Sequence, residues 1–396
     1  GVYELDMTRV CIDLTANEII DRFGGIGRYG YLLLESMVSL PAAERAGIEL
    51  CALEDSAGSV IGAEQALEKA VLSRRTLPLR RHRWQRRLVT GKSLVNGRVD
   101  LFHAVQPLAL PLWPRAKVLA TCHDLIPVVF PRQGSALKSN WIVLRETAVW
   151  GLRMRRVDHI LAISEQTATD LSSRLGIARS KISVVHHGVD AKLFHPRADP
   201  VAARRKFDLP ERWFVSVGSD HYRKNHRALF EAWCNAGPDI PEGLVVVGKA
   251  LYESTLQELN AKVVQLGLQH RFRWLDNVDD TDLPGLYCGA TAAIAPSLYE
   301  GFGMTLLEAM ACGTPVAAAR NGAYEEVGGD AAIYFDGRSV SALETTLRQL
   351  SGDAQERERL SQAGRRQASE MTWERTARQT LEVYRRVAET KPPCTP

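Results

Sequence analysis

The sequence predicts an α/β fold made of two doubly wound parallel sheets. At 396 residues the chain is longer than one hydrophobic core usually fills, so two domains with a ligand cleft between them are expected. Strand-like runs alternate with helix-like runs along both halves, a pattern typical of parallel sheets with helices on both faces. A composition of 45% hydrophobic and 24% charged residues is that of a globular protein.

The first series of elements fills the N-terminal half. Its strand-like runs are 10–14, 48–53, 101–104, 117–122 and 159–163, and its helix-like runs are 29–39 and 138–152. A last strand-like run at 181–190 contains a glycine turn, and Pro196 and Pro200 follow as a linker. We therefore expect an N-terminal domain at residues 1–195.

The second series repeats the pattern. Its strand-like runs are 213–218, 244–248, 272–275, 292–296, 316–319 and 332–335. These runs predict a C-terminal domain at 196–372. A final helix at 373–391 is indicated by apolar residues at helical spacing, namely Trp373, Ala377, Leu381 and Tyr384.

Gross features favour a cytoplasmic protein. No apolar run is long enough to cross a bilayer, and Glu4 and Asp6 interrupt any secretory signal at the start. The seven cysteines are scattered and never form a C-x-x-C pair, so we expect small core residues in a reducing compartment, without a disulfide framework or a zinc site.

A basic segment stands out between Glu68 and Asp100, where ten Lys or Arg residues occur without an acidic one. Leu77, Trp84 and Leu88 follow helical spacing, which is typical of a helix resting on anionic lipid headgroups. We expect peripheral membrane contact through residues 74–92, with a solvated face or an arm docked on its own domain as an equal alternative. Nucleic acid is disfavoured because the basic run holds one aromatic residue.

The segment 297–316 predicts a site for a sugar nucleotide. Glu300 and Glu308 are separated by seven residues across a turn that contains Gly301 and Gly303. Glycine lets the backbone approach a ligand closely, and the helix-forming run 304–311 offers free N–H groups to a diphosphate. The two carboxylates are placed to contact a sugar and a ribose.

Two further turns follow predicted strands, where ligands collect in open α/β sheets. Arg223 and Lys224 follow the strand that ends at Gly218 and can neutralise a departing diphosphate, although an exposed basic pair is the alternative. His123 and Asp124 follow 117–122; a lone histidine there is more often a structural hydrogen bonder, and an aspartate there can cap a turn.

Two other patterns are less informative. Gly25, Gly27 and Gly30 spell G-x-G-x-x-G, but they start too far from the preceding strand for a dinucleotide fingerprint, so the match is interpreted as accidental. The acidic cluster at 279–282 precedes a helix-like start at Leu283 and is expected to lie at that helix N-terminus, so no metal site is predicted.

Taken in order, these motifs resemble those of retaining glycosyltransferases of family 4, which have the GT-B fold of two Rossmann-like domains facing a central cleft. The resemblance rests on G-G-x-G-R-Y at 24–29, H-D-L-x-P at 123–127, G-x-x-x-x-R-K-N at 218–225 and E-x7-E at 300–308. It implies that the final helix crosses back to the N-terminal domain. Asp220-His-Tyr222 departs from the family, which more often has a hydrophobic-Glu-Pro run there.

The resemblance also implies residue roles. His123 orients the donor sugar, Arg223 and Lys224 grip the diphosphate, and these three with Glu300 form the catalytic group. The implied donor and nucleotide contacts are Gly25, Ser219, Arg223, Lys224, Asn277, Val278, Glu300, Gly301, Phe302, Gly303, Met304, Thr305 and Glu308. The implied acceptor contacts are Gly24, Gly27, Arg28, Tyr29 and Asp124.

The activity implied is transfer of a hexose, first mannose from GDP-mannose, to a glycan or polyprenyl-linked hydroxyl in bacterial surface polysaccharide assembly such as O-antigen. The family route is front-face displacement, in which the leaving phosphate accepts the acceptor proton and no metal or other cofactor takes part. Two alternatives stay open: a GT-B relative such as a sugar nucleotide epimerase, and a non-catalytic membrane-surface binding protein on the same fold.

Overall fold

A computed structural model describes residues 7–14, 25–55, 74–77, 99–107, 110, 116–129, 132–133, 136–137, 140–237, 239–251 and 253–389. Contacts between residues divide the chain into two units. Unit 1 contains Gly1–Leu125, Leu144–Gly188 and Trp373–Pro396, and unit 2 contains Ile126–Val143 and Val189–Thr372. The sequence-based division differs in placing 126–143 and 189–195 in the N-terminal domain.

Unit 1 is built on a seven-stranded sheet with the order β3-β2-β1-β4-β5-β8-β9. All neighbouring strands in it are parallel. The order reverses between β1 and β4, the place where doubly wound sheets bind ligands. The strands are β1 (Thr8–Asp13), β2 (Ile48–Asp55), β3 (Arg74–Leu77), β4 (Leu101–Ala104), β5 (Lys117–Cys122), β8 (His159–Ala162) and β9 (Ile182–Val184).

Helices cover this sheet because the strands are apolar on both faces; β4 and β8, for example, are buried at every position. The helix Trp373–Glu389 packs against the helix Gly25–Ser39, and its Ala377, Leu381 and Tyr384 join the unit 1 core. The described helices with residues in unit 1 are Gly25–Ser39, Asn140–Arg156, Glu165–Leu175 and Trp373–Glu389.

Unit 2 is built on a six-stranded parallel sheet with the order β12-β11-β10-β13-β14-β15. This order reverses between β10 and β13. The strands are β10 (Trp213–Val217), β11 (Gly243–Val247), β12 (Phe272–Leu275), β13 (Ala292–Ala295), β14 (Val316–Ala319) and β15 (Ala332–Phe335). A short antiparallel pair, β6 (Arg132–Gln133) and β7 (Ala136–Leu137), also lies in unit 2.

Some helices of unit 2 begin directly after a side chain that caps them. Asp199 accepts hydrogen bonds from the first turn of a helix that begins at Pro200, and Ser339 caps the helix that begins at Val340. The described helices of unit 2 are Ile126–Val129, Pro200–Lys206, His226–Ala236, Glu253–Gln265, Leu283–Cys288, Met304–Ala311, Ala323–Gly328, Val340–Gly352 and Ala354–Glu370.

The structure corrects one local prediction. Arg74–Leu77, expected to begin a basic helix, forms a strand parallel to β2, so Leu77 does not belong to an amphipathic helix. The rest of the 74–92 segment lies outside the described residues. Asp282 lies directly before the helix that begins at Leu283, as expected, and its carboxylate pairs with Lys206 at 2.7 Å. No helix in the described ranges is both long enough and apolar enough to span a bilayer.

Candidate donor site

The candidate site in unit 2 lies at the point where its strand order reverses. The parallel neighbours β10 and β13 end at Val217 and Ala295, so the loops 218–225 and 296–303 leave the same edge of the sheet. Three hydrogen bonds tie these loops together: Leu298 N donates to Arg223 O at 2.8 Å, Asn225 Nδ2 donates to Pro296 O at 3.2 Å, and Arg223 Nη1 donates to Tyr299 O at 3.2 Å. The fold thus brings together two motifs that are far apart in sequence.

The tip of this edge carries a buried charge cluster. Arg223 Nη1 lies 2.8 Å and Lys224 Nζ lies 2.7 Å from the same oxygen, Glu300 Oε1. The three side chains are 17%, 12% and 12% exposed, respectively. One carboxylate oxygen therefore holds two cations side by side at the edge of the sheet where doubly wound folds bind ligands.

The electrostatics of the cluster keep the Glu300 carboxylate ionised at neutral pH. Burial disfavours the charged carboxylate of Glu300, but attraction by Lys224 and then Arg223 outweighs burial and lowers its pKa to about 2. Burial also lowers the pKa of Lys224, and attraction by Glu300 partly offsets that effect. A carboxylate with so low a pKa is unsuited to act as a general acid.

The backbone of the 218–225 loop is shaped by close contacts. A Cβ atom at Gly218 would lie 3.0 Å from Lys224 Cδ, so the glycine leaves room for the lysine stem. The His226 ring donates from Nε2 to Gly218 O at 3.0 Å, and burial lowers the pKa of His226 to about 4. Ser219, which follows Gly218, is half-buried. The loop therefore holds Lys224 in a defined position.

The glycine turn after Glu300 meets a structural requirement that the sequence did not reveal. Gly303 has φ +119°, and a Cβ atom there would lie 2.8 Å from the Tyr324 ring. Glycine is required at 303 by the backbone conformation and by Tyr324. Gly301 and Phe302 are buried, and Met304 and Thr305 begin the helix half-buried.

Glu308 is a buried carboxylate in the second turn of the helix Met304–Ala311. Its neighbour is the phenol of Tyr287, whose pKa is raised by burial and by the Glu308 charge. The Glu308 charge also acts to raise the pKa of Lys224. The prediction that Glu300 and Glu308 contact different parts of a ligand stays a prediction, and in the structure both carboxylates act to raise the pKa of Lys224.

The residues predicted to meet the base lie on the same sheet. Asn277 and Val278 follow β12, whose carboxyl end lies at the same edge of the parallel sheet as those of β10 and β13. Asn277 is exposed with φ +54°, and Val278 is half-buried. Their backbone groups lie at the carboxyl end of β12, which is the outermost strand on one side of this sheet.

In unit 1, His123 follows β5 and is buried. Its Nε2–H donates to Val105 O at 2.8 Å, a carbonyl that follows β4. Burial lowers the pKa of His123 to about 4, so the ring is neutral at pH 7. Asp124 beside it is half-buried.

The glycine loop of unit 1 differs in part from the prediction. The helix begins at Gly25, so Gly25 and Gly27 lie in its first turn, and Arg28 is half-buried; Gly24 lies outside the described residues. Tyr29 was expected to face the acceptor. Instead it is buried, and its hydroxyl pairs with Thr121 Oγ1 at 3.0 Å.

Tyr29 belongs to an aromatic and histidine cluster that sequence reasoning missed. Its ring stacks on His187 at a centroid distance of 4.8 Å and meets His123 edge-on at 4.9 Å. Thr121 Oγ1 also pairs with His103 Nε2 at 2.7 Å, and His103 Nδ1 pairs with the Tyr384 hydroxyl at 2.6 Å. The available signal was that His103, His123 and His187 lie in or just after parallel strands.

In the same way, Tyr324 and Tyr287 were missed in unit 2. Tyr324 lies in a helix that follows β14, and Tyr287 lies in the helix that precedes β13. Both rings are buried against the donor-site carboxylates. Among the described residues no group of three or more His, Cys, Asp or Glu side chains is arranged to hold a metal ion.

Comparison with known proteins identifies related sequences for both halves. The sequence model described as "Glycosyltransferase Family 4" matches residues 23–193, and the one described as "Glycosyl transferases group 1" matches residues 201–367. A D-inositol 3-phosphate glycosyltransferase of Salinispora tropica is 34% identical over 57% of this chain and 50% of its own length. An MMP alpha-(1->4)-mannosyltransferase of Mycolicibacterium hassiacum is 29% identical over 75% of this chain and 72% of its own.

A third relative, the O-antigen chain mannosyltransferase B of Escherichia coli, is 33% identical over 48% of this chain and 50% of its own length. The matches thus span about half the length of the Salinispora and Escherichia coli proteins.

Solved structures share the fold over almost the entire chain. Sucrose-phosphate synthase from Thermosynechococcus elongatus has a TM-score of 0.72 at 21% identity, covering 96% of this chain and 99% of that one. Anabaena HepE, solved in complex with UDP, has a TM-score of 0.69 at 18% identity, covering 96% and 100%. The likeness confirms the predicted GT-B class with two Rossmann-like domains. The chain therefore belongs to the glycosyltransferases, with a family 4 domain followed by a group 1 domain.

Proposed function

We propose that the chain is a retaining hexosyltransferase that transfers mannose from GDP-mannose to an acceptor hydroxyl. The observation that carries the proposal is the buried Arg223, Lys224 and Glu300 cluster at the switch point of unit 2. A nucleoside diphosphate leaves as an anion, and two cations held in a partly desolvated site stabilise the charge that develops on it.

The chemistry of the leaving group follows from the same atoms. Arg223 offers a planar set of donors to phosphate oxygens, and Lys224 supplies a compact charge beside it. Glu300 fixes both cations through Oε1, so they are positioned before the donor binds. In this proposal the leaving phosphate accepts the acceptor proton, and neither a metal nor another cofactor is needed.

The carboxylates do not form a glycoside hydrolase pair in this mechanism. Glycosidases use one carboxylic acid with a raised pKa and one free nucleophile. Glu300 has its pKa lowered to about 2 and faces two cations, and Glu308 is buried beside Tyr287. We assign Glu300 to the sugar hydroxyls and cation positioning, and Glu308 to the ribose.

His123 is assigned to donor orientation in the same proposal. It is neutral at pH 7 because its pKa is lowered to about 4, and its Nε2–H is committed to Val105 O. Nδ1 is therefore the ring atom that can accept a hydrogen bond from a sugar hydroxyl. A neutral acceptor of this kind positions a hydroxyl without taking up its proton.

The donor assignment is supported by names among the relatives. The proteins from Mycolicibacterium hassiacum and Escherichia coli are named mannosyltransferases, whereas HepE was solved with UDP. GDP-mannose is therefore the first candidate, and UDP-glucose is the competitor. A glycan or polyprenyl-linked hydroxyl in surface polysaccharide assembly is the acceptor class we propose.

The test is turnover with each donor, with release of the nucleoside diphosphate and the anomeric configuration of the product followed by NMR. Arg223→Ala and Lys224→Ala should each lower kcat by about 10²–10³-fold, with a smaller change in KM. Arg227→Ala is the matched control, because its ion pair with Glu258 is exposed. Equal loss in binding and turnover would contradict the assigned role, and turnover without acceptor would favour the epimerase alternative.

Membrane contact is a second part of the proposal, and the helix Asn140–Arg156 supports it. Leu144, Val149 and Leu152 on this helix are 40–67% exposed. The same helix holds Arg145, Arg153, Arg155 and Arg156 against one acidic residue, Glu146. Exposed apolar side chains combined with excess positive charge are complementary to anionic headgroups. We propose that this helix lies on the inner surface of the plasma membrane.

Vesicle sedimentation tests this contact. The protein should bind phosphatidylglycerol vesicles and not phosphatidylcholine vesicles, and Leu144→Ser with Leu152→Ser should abolish binding. Val264→Ser, at an exposed apolar position of unit 2, is the control. Binding that persists in the double variant would refute the assignment to this helix, and vesicle binding without nucleotide binding would favour the non-catalytic alternative.

A further inference from the structure

Two cysteines meet beside the candidate donor site, and neither takes part in the mechanism above. Cys288 ends the helix Leu283–Cys288, and Cys312 follows the helix Met304–Ala311. The Cys288 thiol donates to His195 O at 3.5 Å and approaches Cys312 O at 3.7 Å. Each thiol is also the largest cause of the pKa shift of the other. The Cys288 sulfur therefore lies against the backbone of Cys312 in the folded protein.

The two thiols differ in access. Cys312 is buried, and Cys288 is half-buried. A cavity of about 340 Å³ is lined by His195, Ala198 and Gly285, and the Cys288 thiol contacts the backbone of the first two of these residues. The Cys288 thiol therefore lies next to residues of the cavity wall, and it is the more accessible of the two thiols.

We propose that Cys288 and Cys312 are a redox pair that closes to an intramolecular disulfide under peroxide. In the first step the Cys288 thiolate attacks one peroxide oxygen and the O–O bond breaks. A sulfenic acid forms, and the leaving hydroxide takes up the proton that the Cys288 thiol released, which gives water. In the second step the Cys312 sulfur attacks Cys288 Sγ, the S–O bond breaks, and a second water leaves with the proton from Cys312. Two thiols lose two electrons and two protons, and one hydrogen peroxide becomes two waters.

The directions of the pKa shifts of the two thiols agree with these roles. The hydrogen bond from Cys312 lowers the pKa of the Cys288 thiol, so Cys288 is the better attacking group. The pKa of Cys312 is raised by the hydrogen bond to Cys288 and by burial, as suits a resolving thiol that stays protonated until Cys288 is oxidised.

Closure of this disulfide would act on the donor site. Cys312 N donates to Glu308 O at 3.1 Å, and Tyr287, the neighbour of Cys288, lies against the Glu308 carboxylate. Thr314 Oγ1 also donates to Tyr287 O at 2.8 Å. A disulfide needs sulfur atoms about 2.05 Å apart, so the two helix ends must move toward each other. The predicted consequence, which rests on the proposed function, is about tenfold weaker nucleotide binding.

The experiment treats the full chain with hydrogen peroxide, blocks residual thiols with iodoacetamide and maps peptides by mass spectrometry. The expected product is a cross-linked peptide pair containing Cys288 and Cys312, reversible by dithiothreitol and missing in Cys288→Ser. Cys11 and Cys51 serve as an internal control, because they are paired in register across β1 and β2 but are both buried. Independent alkylation of Cys288 and Cys312 after peroxide, or a Cys11–Cys51 cross-link in their place, would overturn the proposal.

A second readout separates this inference from the proposed function. GDP affinity is measured by calorimetry for the reduced, oxidised and re-reduced protein and for Cys288→Ser. A loss of affinity that dithiothreitol restores, and that Cys288→Ser does not show, supports regulation of the donor site. An affinity unchanged by the disulfide refutes that regulation, while failure of the reduced protein to bind any nucleotide refutes the proposed function instead.

Discussion

Replacing Glu300 with glutamine tests the charge cluster most sharply. The substitution keeps the side-chain shape but removes the negative charge that Arg223 and Lys224 share. The Glu300 pKa falls from 4.5 to about 2 in the folded protein. A shift of that size corresponds to about 3 kcal/mol of stabilisation at neutral pH, and removal of one partner from a buried ion pair costs a similar amount. We expect Glu300→Gln to lower the free energy of unfolding by about 3 kcal/mol.

Urea unfolding at pH 7 gives the measurement, with Glu258→Gln as the matched control. Glu258 pairs with Arg227 at 2.8 Å, but these side chains are 62% and 58% exposed, so the control should lose at most about 1 kcal/mol. The pKa of Glu300 is lowered on folding, so its contribution is complete above pH 4.5 and disappears as the pH falls toward 2. Equal destabilisation by the two substitutions would refute the reasoning.

Three further predictions follow from individual contacts. Gly303→Ala should destabilise unit 2 by about 2 kcal/mol or more in thermal unfolding, because φ is +119° and the new Cβ would lie 2.8 Å from Tyr324. Gly352→Ala is the control and should be tolerated, because the space around its Cβ is open. Thr121→Val should lower the free energy of unfolding in urea by about 1–3 kcal/mol, because Tyr29 and His103 both lose the hydroxyl they share. Thr345→Val, which removes an exposed hydroxyl, is the control, and an equal loss in the two variants would contradict this prediction. Burial lowers the pKa of His103 to about 3 and that of His123 to about 4, so the unfolded chain binds protons first as the pH falls below 6.5. Stability should therefore fall between pH 6.5 and 4 by up to about 1.4 kcal/mol per pH unit for each histidine, and His103→Phe should flatten that dependence.

Much of the fold could be predicted because parallel sheets have a strong local signature. Strands such as Gly243–Val247 are buried on both faces and appear as continuous apolar runs. The turns after such strands could be selected as candidate sites before any contact was known, because ligands bind at the carboxyl edge of a doubly wound sheet. That rule located the loops that carry Arg223, Lys224 and Glu300.

The contacts within the site could not be predicted in the same way. Glu300 meets Arg223 because β13 lies next to β10 in the sheet, and strand order is set by tertiary packing. The requirement for glycine at 303 comes from the Tyr324 ring of a later helix. Sequence reasoning gave the glycine a ligand-facing role because the steric partner was not visible.

Tyr29 shows the opposite error. The family resemblance implied that Tyr29 contacts the acceptor, but the helix Gly25–Ser39 places it in a buried cluster with His123 and His187. The hydroxyl is satisfied by Thr121, whose position in β5 the local sequence does not relate to residue 29. Burial of this kind depends on packing among several elements.

Calorimetric titration tests directly whether the carboxyl edge of the unit 2 sheet, between β10 and β13, binds a nucleoside diphosphate. The wild-type protein is titrated with GDP, UDP, ADP and dTDP, and Glu308→Ala and Lys224→Ala are titrated in parallel. We expect saturable binding of GDP in preference to the other three nucleotides, and we expect Glu308→Ala to weaken GDP binding at least about tenfold. Absence of binding for all four nucleotides, or GDP binding that neither substitution alters, would contradict the assignment of this site to a nucleoside diphosphate.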